Sequence, residues 1–125
     1  MSAIYLAARY SRLCELQGYQ SDLEILGHLV TSRWINGSHE GSLETGSAKF
    51  AQEDRDDLIA ADWVISFAEP PRTFNSRGGR HVEFGMALAL GKRVIVVGYR
   101  ENVFHYLPEV EFFETWKSCL ARLNL

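Results

Sequence analysis

The chain has 125 residues, a net charge of −3 at neutral pH and 46% apolar residues, which fits one compact domain over residues 1–125. That balance leaves no electrostatic footprint for duplex nucleic acid, and no apolar run is long enough for a membrane partner. Cys14 and Cys119 lack a CxxC partner and read as reduced residues of helical segments, in the core or half-buried. Met1–Ala8 is too short for a secretory apolar segment, so a cytoplasmic protein is expected.

Ala3–Ala8 reads as a buried strand. Ser11 is placed to cap a helix in which Leu13, Leu16, Leu23 and Leu26 recur at helical spacing, and Gly27 ends it. Leu29–Trp34 predicts a second strand, and Asn36–Gly46, rich in Gly and Ser, a mobile loop. Ala48–Ala61 predicts a helix with Phe50, Leu58 and Ile59 inward, and Trp63–Phe67 a third strand. Glu69–Gly79 reads as a loop that delivers the chain through Gly78-Gly79 into a short helix ending at Gly91. Val94–Val97 and Val110–Phe113 read as the last strands, and Glu114–Leu123 as a terminal helix with Trp116, Leu120 and Leu123 on one face.

Strands alternate with helices, and the strands are apolar runs rather than alternating ones. This predicts a parallel five-stranded sheet covered on both faces, a flavodoxin-like three-layer α/β sandwich. Ligands of such folds bind beyond the carboxyl ends of the strands. Ala7–Ser11, Trp34–Gly46, Ala68–Gly79 and Gly98–His105 are thereby expected on one rim.

Several familiar motifs are excluded. Gly85–Lys92 has one residue too many for a phosphate-binding loop, has Arg93 in place of Ser or Thr, and reads as helix. There is no GxGxxG and no GxSxG. His28, His39, His81 and His105 lack metal-ligand spacing, so neither a metal nor another cofactor is expected. What remains is a set of carboxylates and their surroundings. Glu83 is expected in the first turn of the helix after the glycine turn, where helix dipole and N–H groups would keep it ionised. An ionised, positioned carboxylate suits a glycosyl-transfer nucleophile, although acidic residues are common in first turns. Asp54 stands apart from Asp56 and Asp57, which read as solvated helix acids, and Asp62 reads as a turn cap. Tyr5 lies mid-strand with a hydroxyl that needs a partner.

The segments IYLAA, AQEDRDDLIAADWVI and GGRHVEFGMALALGKRVIVV, and less firmly RENVFHYL, resemble the nucleoside 2-deoxyribosyltransferase-like family, over Ile4–Leu107. That family includes the 2′-deoxynucleoside 5′-phosphate N-hydrolases. Its E-[FL]-G-x-A-x-x-x-G-K run is matched by Glu83, Phe84, Gly85, Ala87, Gly91 and Lys92. The resemblance implies Glu83 as nucleophile, Asp54 as the acid serving the leaving base and Tyr5 as the group orienting Glu83. It implies cleavage or transfer at the N-glycosidic bond of a (deoxy)nucleoside or its 5′-monophosphate. It also implies a homo-oligomer, a dimer or higher, in which a neighbour completes the site, and Asn102 and His105 occupy the matching region. Where family members carry Asp or Ser six residues before the glutamate, this chain has Arg77, with Ser76 one position away. Arg77 or Arg80 is then a candidate 5′-phosphate ligand beside Gly78 and Gly79, the alternative being solvent-exposed loop charges. Trp34 and Phe74 are candidates to stack on the base, because their loops lie on the expected rim.

Rival readings are a non-catalytic nucleotide-binding or sensing module, a cytokinin-activating-type phosphoribohydrolase, and an adaptor domain. The second usually shows a PGGxGTxxE run, and GGRHVE has no Thr.

Overall fold

The structure is a computed structural model that describes residues 1–37, 47–71 and 78–124. Five strands, β1 (Ala3–Ala7), β2 (Leu29–Val30), β3 (Trp63–Phe67), β4 (Arg93–Val97) and β5 (Val110–Phe113), form one parallel sheet in the order β2-β1-β3-β4-β5. The helices are α1 (Leu13–Ile25), α2 (Ser47–Ala60), α3 (Gly79–Ala89) and α4 (Trp116–Leu123). α1 contacts α4 and α2 contacts α3, which gives a helical layer on each face of the sheet. The flavodoxin-like three-layer sandwich expected from the sequence is therefore the observed fold.

Both faces of the inner strands are buried, which explains their continuous apolar runs: Ile4, Tyr5, Leu6, Val64, Ile65, Phe67, Val94, Ile95 and Val96 all lie in the core. Chain order reverses between β1 and β3, and a crevice opens there beyond the carboxyl ends of the strands.

Several local expectations are corrected. β2 stops at Val30, and Arg33–Asn36 is a 3-10 turn rather than strand. Side chains take over the ladder at that point. Leu6 N–H donates to Ser32 Oγ at 3.2 Å, and Trp34 Nε1 donates to the Leu6 carbonyl at 2.8 Å. Ser11 caps no helix: it lies inside a 3-10 turn, Tyr10–Arg12, and α1 starts at Leu13 with no side-chain cap. α2 turns Leu58 inward but leaves Ile59 exposed. Cys119 is buried, whereas Cys14 is exposed on the outer side of α1. Asp62 accepts from the Ala3 N–H at 3.0 Å and so ties the start of β1 to β3. Lys92, at the opposite end of the sheet from the crevice, donates to the carbonyls of Ile59 and Ala61 at the C-terminus of α2.

Candidate active site

The crevice at the β1/β3 switch point is a cleft of ≈ 530 Å³. The turn after β1 supplies Arg9 and Tyr10, the 3-10 turn after β2 supplies Trp34, α2 supplies Asp54 and Arg55, and α3 supplies Glu83 and Met86. Gly78 and Gly79 form its edge at the entry to α3. Gly78 has φ 85°, a left-handed conformation that a side chain would strain, and its carbonyl accepts the first helical N–H groups, from His81 and Val82.

Glu83 is the fifth residue of α3, so it belongs to the second turn and not the first. The dipole and open N–H groups of the helix start do not serve it. The expectation of a carboxylate kept ionised by the helix is overturned. Desolvation in the cleft wall pushes the Glu83 carboxyl up to about 8, and the charge of Asp54 adds to the rise. One contact opposes this: the Tyr5 hydroxyl donates a hydrogen bond to Glu83 Oε2. Tyr5 is fully buried in β1, and its own pKa is held well above 10 by burial first and by Glu83 and Asp54 next, so it remains a donor at all physiological pH.

Asp54 faces the same cleft from α2. Burial pushes its carboxyl up to about 7, with further increments from Asp57 and Glu53 and a smaller opposing one from Arg33. Two carboxyls that hold protons into the neutral range thus face one cavity, with a buried phenol bonded to one of them. A pair of carboxyls with displaced pKa values supports acid and nucleophile roles at one bond.

Trp34 lines the cleft but is itself 4% exposed, with its indole N–H committed to Leu6 and its ring 6.1 Å from that of Tyr10. Arg80 also borders the cleft, yet its guanidinium is turned into the protein. It is 4% exposed and makes a two-pronged ion pair with Glu101, Nη2 to Oε2 at 2.8 Å and Nη1 to Oε1. Glu101 additionally accepts the Glu69 N–H at 2.9 Å. Arg80 therefore joins the first turn of α3 to the chain after β4 and to the end of β3, rather than offering a fork to a ligand. Phe74, Ser76 and Arg77 lie outside the described residues.

Asn102 and His105 are not at the cleft. Asn102 caps the 3-10 turn Val103–Tyr106 by accepting from Phe104 N–H at 3.0 Å. His105 is buried, with Nδ1 accepting the Glu101 N–H at 2.9 Å and its ring edge-on to Phe84 at 4.8 Å. The sequence reading missed Arg9, Tyr10, Arg55 and Met86. The first two were within the expected rim segment Ala7–Ser11, but nothing in residue type separated them from other loop residues. Among the described residues no group of His, Cys, Asp and Glu could hold a metal ion, and no helix is long and apolar enough to cross a membrane.

No family model and no curated protein matches the chain. Solved structures do share its fold. A 2-deoxyribosyltransferase from Bacillus psychrosaccharolyticus superposes with a TM-score of 0.73 at 23% identity, over 94% of this chain and 90% of that one. A CMP N-glycosidase of Clostridium botulinum superposes at 0.65 and 22% identity, over 98% of each chain. A 2-deoxyribosyltransferase from Leishmania mexicana superposes at 0.71 and 15% identity, over 99% and 97%. These three structures are of the same kind as the family that the Glu83 run resembles.

Proposed function

We propose that the protein cleaves the N-glycosidic bond of a nucleoside or nucleotide through a covalent glycosyl-Glu83 intermediate. The observation that carries this reading is that Glu83 and Asp54 line one cleft, with the buried Tyr5 hydroxyl bonded to Glu83. The architecture shared with deoxyribosyltransferases and a CMP N-glycosidase supports it.

In the first half-reaction a Glu83 carboxylate oxygen forms a bond to C1′ as the bond from C1′ to the base nitrogen breaks. The bond's electron pair leaves with the base, and Asp54 delivers the proton that neutralises it. The Tyr5 hydroxyl, donating to Oε2, favours the ionised form of the attacking carboxylate against the desolvation that raises its pKa. In the second half-reaction an acceptor attacks C1′, its proton passes to Asp54, and Glu83 is released. Water as acceptor gives hydrolysis and a second base gives transfer.

The phosphate side of the reading changes with the structure. Arg80 is engaged by Glu101, whereas Arg9 and Arg55 both border the cleft, Arg9 with one bond to Glu69 at 3.3 Å. A 5′-monophosphate would find its cation there. A homo-oligomer is part of the same proposal and is read by sedimentation.

Incubation with deoxynucleosides, ribonucleosides and their 5′-monophosphates, with and without an acceptor base, tests the reading. Release of base with formation of the sugar or sugar phosphate supports hydrolysis, and a new nucleoside supports transfer. Ligand-induced thermal shifts with no product across the panel would favour the binding-module alternative.

A further inference from the structure

Asp54 does not titrate alone. Asp57 lies three residues on along α2, the spacing that places two side chains on one helix face. Unlike the solvated acid expected of it, Asp57 is buried at 7% exposure. Its carboxylate accepts the Arg33 N–H at 2.9 Å and the Arg33 guanidinium through Nε at 2.9 Å and Nη2 at 2.9 Å. Its backbone carbonyl accepts from Thr31 Oγ1 at 2.8 Å. Arg33 precedes Trp34 in the same 3-10 turn, so this clip fastens the Trp34 wall of the cleft to the helix that carries Asp54. Arg33 also reaches Glu53 at 3.9 Å.

The charged groups around Asp54 are Glu53, Arg55 and Asp57 on α2, Arg33 on the neighbouring turn, Glu83 on α3 and Arg9 after β1. Arg33 is shared between two carboxylates before it can act on a third. Arg55 is exposed to solvent, which screens it, and Arg9 is bonded to Glu69. The local balance is therefore anionic, and a proton on Asp54 relieves it.

We propose that Asp57, clipped to Arg33, is a positioning residue that keeps Asp54 in its protonated, donating form while tying the Trp34 wall to the same helix. The inference rests on the reading of Asp54 as the proton donor. It makes Arg33 and Asp57 act on Asp54 with opposite signs, although both belong to one clip.

That opposition supplies the test. The carboxyl carbon of Asp54, assigned by its loss in D54N, is followed by NMR through a pH titration in the wild type, Asp57→Asn and Arg33→Gln. Asp57→Asn removes an anion and is expected to lower the Asp54 midpoint by about one pH unit. Arg33→Gln removes the cation and is expected to raise it by about half a unit. If the clip served only to hold the two elements together, either variant would loosen it, admit water and lower the midpoint. Shifts of the same sign, or none, overturn the proposal. Arg33→Gln retains the backbone N–H bond to Asp57 and keeps an amide donor beside it, the spectrum of each variant reports whether it is folded, and an upward shift in Arg33→Gln alone supports the proposal while a downward one refutes it. With an active substrate, kcat/KM at neutral pH falls in Asp57→Asn and rises in Arg33→Gln, because the fraction of Asp54 that carries a proton falls and rises with its midpoint. An inactive wild type whose NMR midpoints still split overturns the glycosidic reading and leaves the grip of Asp57 on Asp54 supported.

Discussion

The Tyr5 hydroxyl donates to Glu83 Oε2 and so links the middle of β1 to the second turn of α3, residues 78 positions apart in the chain. Among the described residues this bond is the one contact that lowers the pKa of a carboxyl which desolvation raises. Tyr5→Phe deletes it and nothing else of size. The Glu83 midpoint should rise above about 8, the upper limb of kcat/KM should move to higher pH because the higher of the pair's two values follows Glu83, and the rate at pH 7 should fall by about 10–100-fold. A pH-rate profile of the two proteins checks this, and an unchanged height and upper limb would remove Tyr5 from the mechanism.

With Asp54 held near 7 and Glu83 near 8, the pair retains about one proton through the neutral range. The higher value on Glu83 places that proton mostly there, and the active arrangement, with the proton on Asp54 and a charge on Glu83, is the minor of the two. kcat/KM should therefore follow a narrow bell with its maximum between those two values, and the limbs belong to the pair rather than to either residue. In Asp54→Asn the falling limb should disappear. The loss in rate should be about 10²–10⁴-fold for poor leaving bases and smaller for good ones. Equal losses across leaving bases would deny Asp54 a proton-transfer role.

Glu83→Gln should abolish turnover and at the same time stabilise the protein in alkali. A carboxyl whose folded pKa stands near 8, against an ordinary 4.5, favours folding below pH 4.5. That contribution is lost as pH rises through the folded value. The glutamine carries no charge to bury, so the variant and the wild type should melt together at pH 5. At pH 9 the variant should melt higher by about 5 °C, corresponding to roughly 1–2 kcal/mol once partial solvation of the side chain is allowed for. Thermal melts at the two pH values measure it, and a variant less stable at pH 9 would contradict the assigned desolvation.

Arg80→Ala should damage the fold and not the choice of substrate. Breaking a buried ion pair from one side leaves its partner uncompensated and costs about 3 kcal/mol or more. The melting temperature should drop, with kcat/KM for a nucleoside and for its 5′-monophosphate falling in equal proportion. A selective loss for the monophosphate would return Arg80 to the phosphate site.

Much of this was readable from the chain, for physical reasons that can be named. β3 runs as expected, because strands buried on both faces are apolar runs, β1 and β4 fall within one residue, and β5 matches too although it is a half-buried edge strand that carries Glu111. β2 was overread because Ser32 and Trp34 replace backbone pairing with side-chain bonds, and Leu29–Trp34 retains the composition of a strand while leaving the ladder. The resemblance singles out Glu83, Asp54 and Tyr5, and the structure places the two carboxyls in one cleft with Tyr5 bonded to Glu83, but their protonation is not legible in the sequence. Glu83 was assigned to a first turn when α3 begins one turn earlier, and desolvation depends on neighbours distant in sequence. The same limit hid Asp57 and Arg80. As letters they are a helix acid and a loop base, and only the partners Arg33 and Glu101 show them to be internal.

The Arg80–Glu101 pair also bears on how such a chain can change over generations. Either residue lost alone leaves a charge stranded between α3 and the segment after β4. Two well-packed apolar residues in their place would relieve that penalty, since such replacements are often neutral or stabilising. Descendants of this sequence should keep both or exchange both, so a lineage that drops the arginine while retaining the acid must supply a new cation from elsewhere. The pair is a single heritable unit written at two positions 21 residues apart.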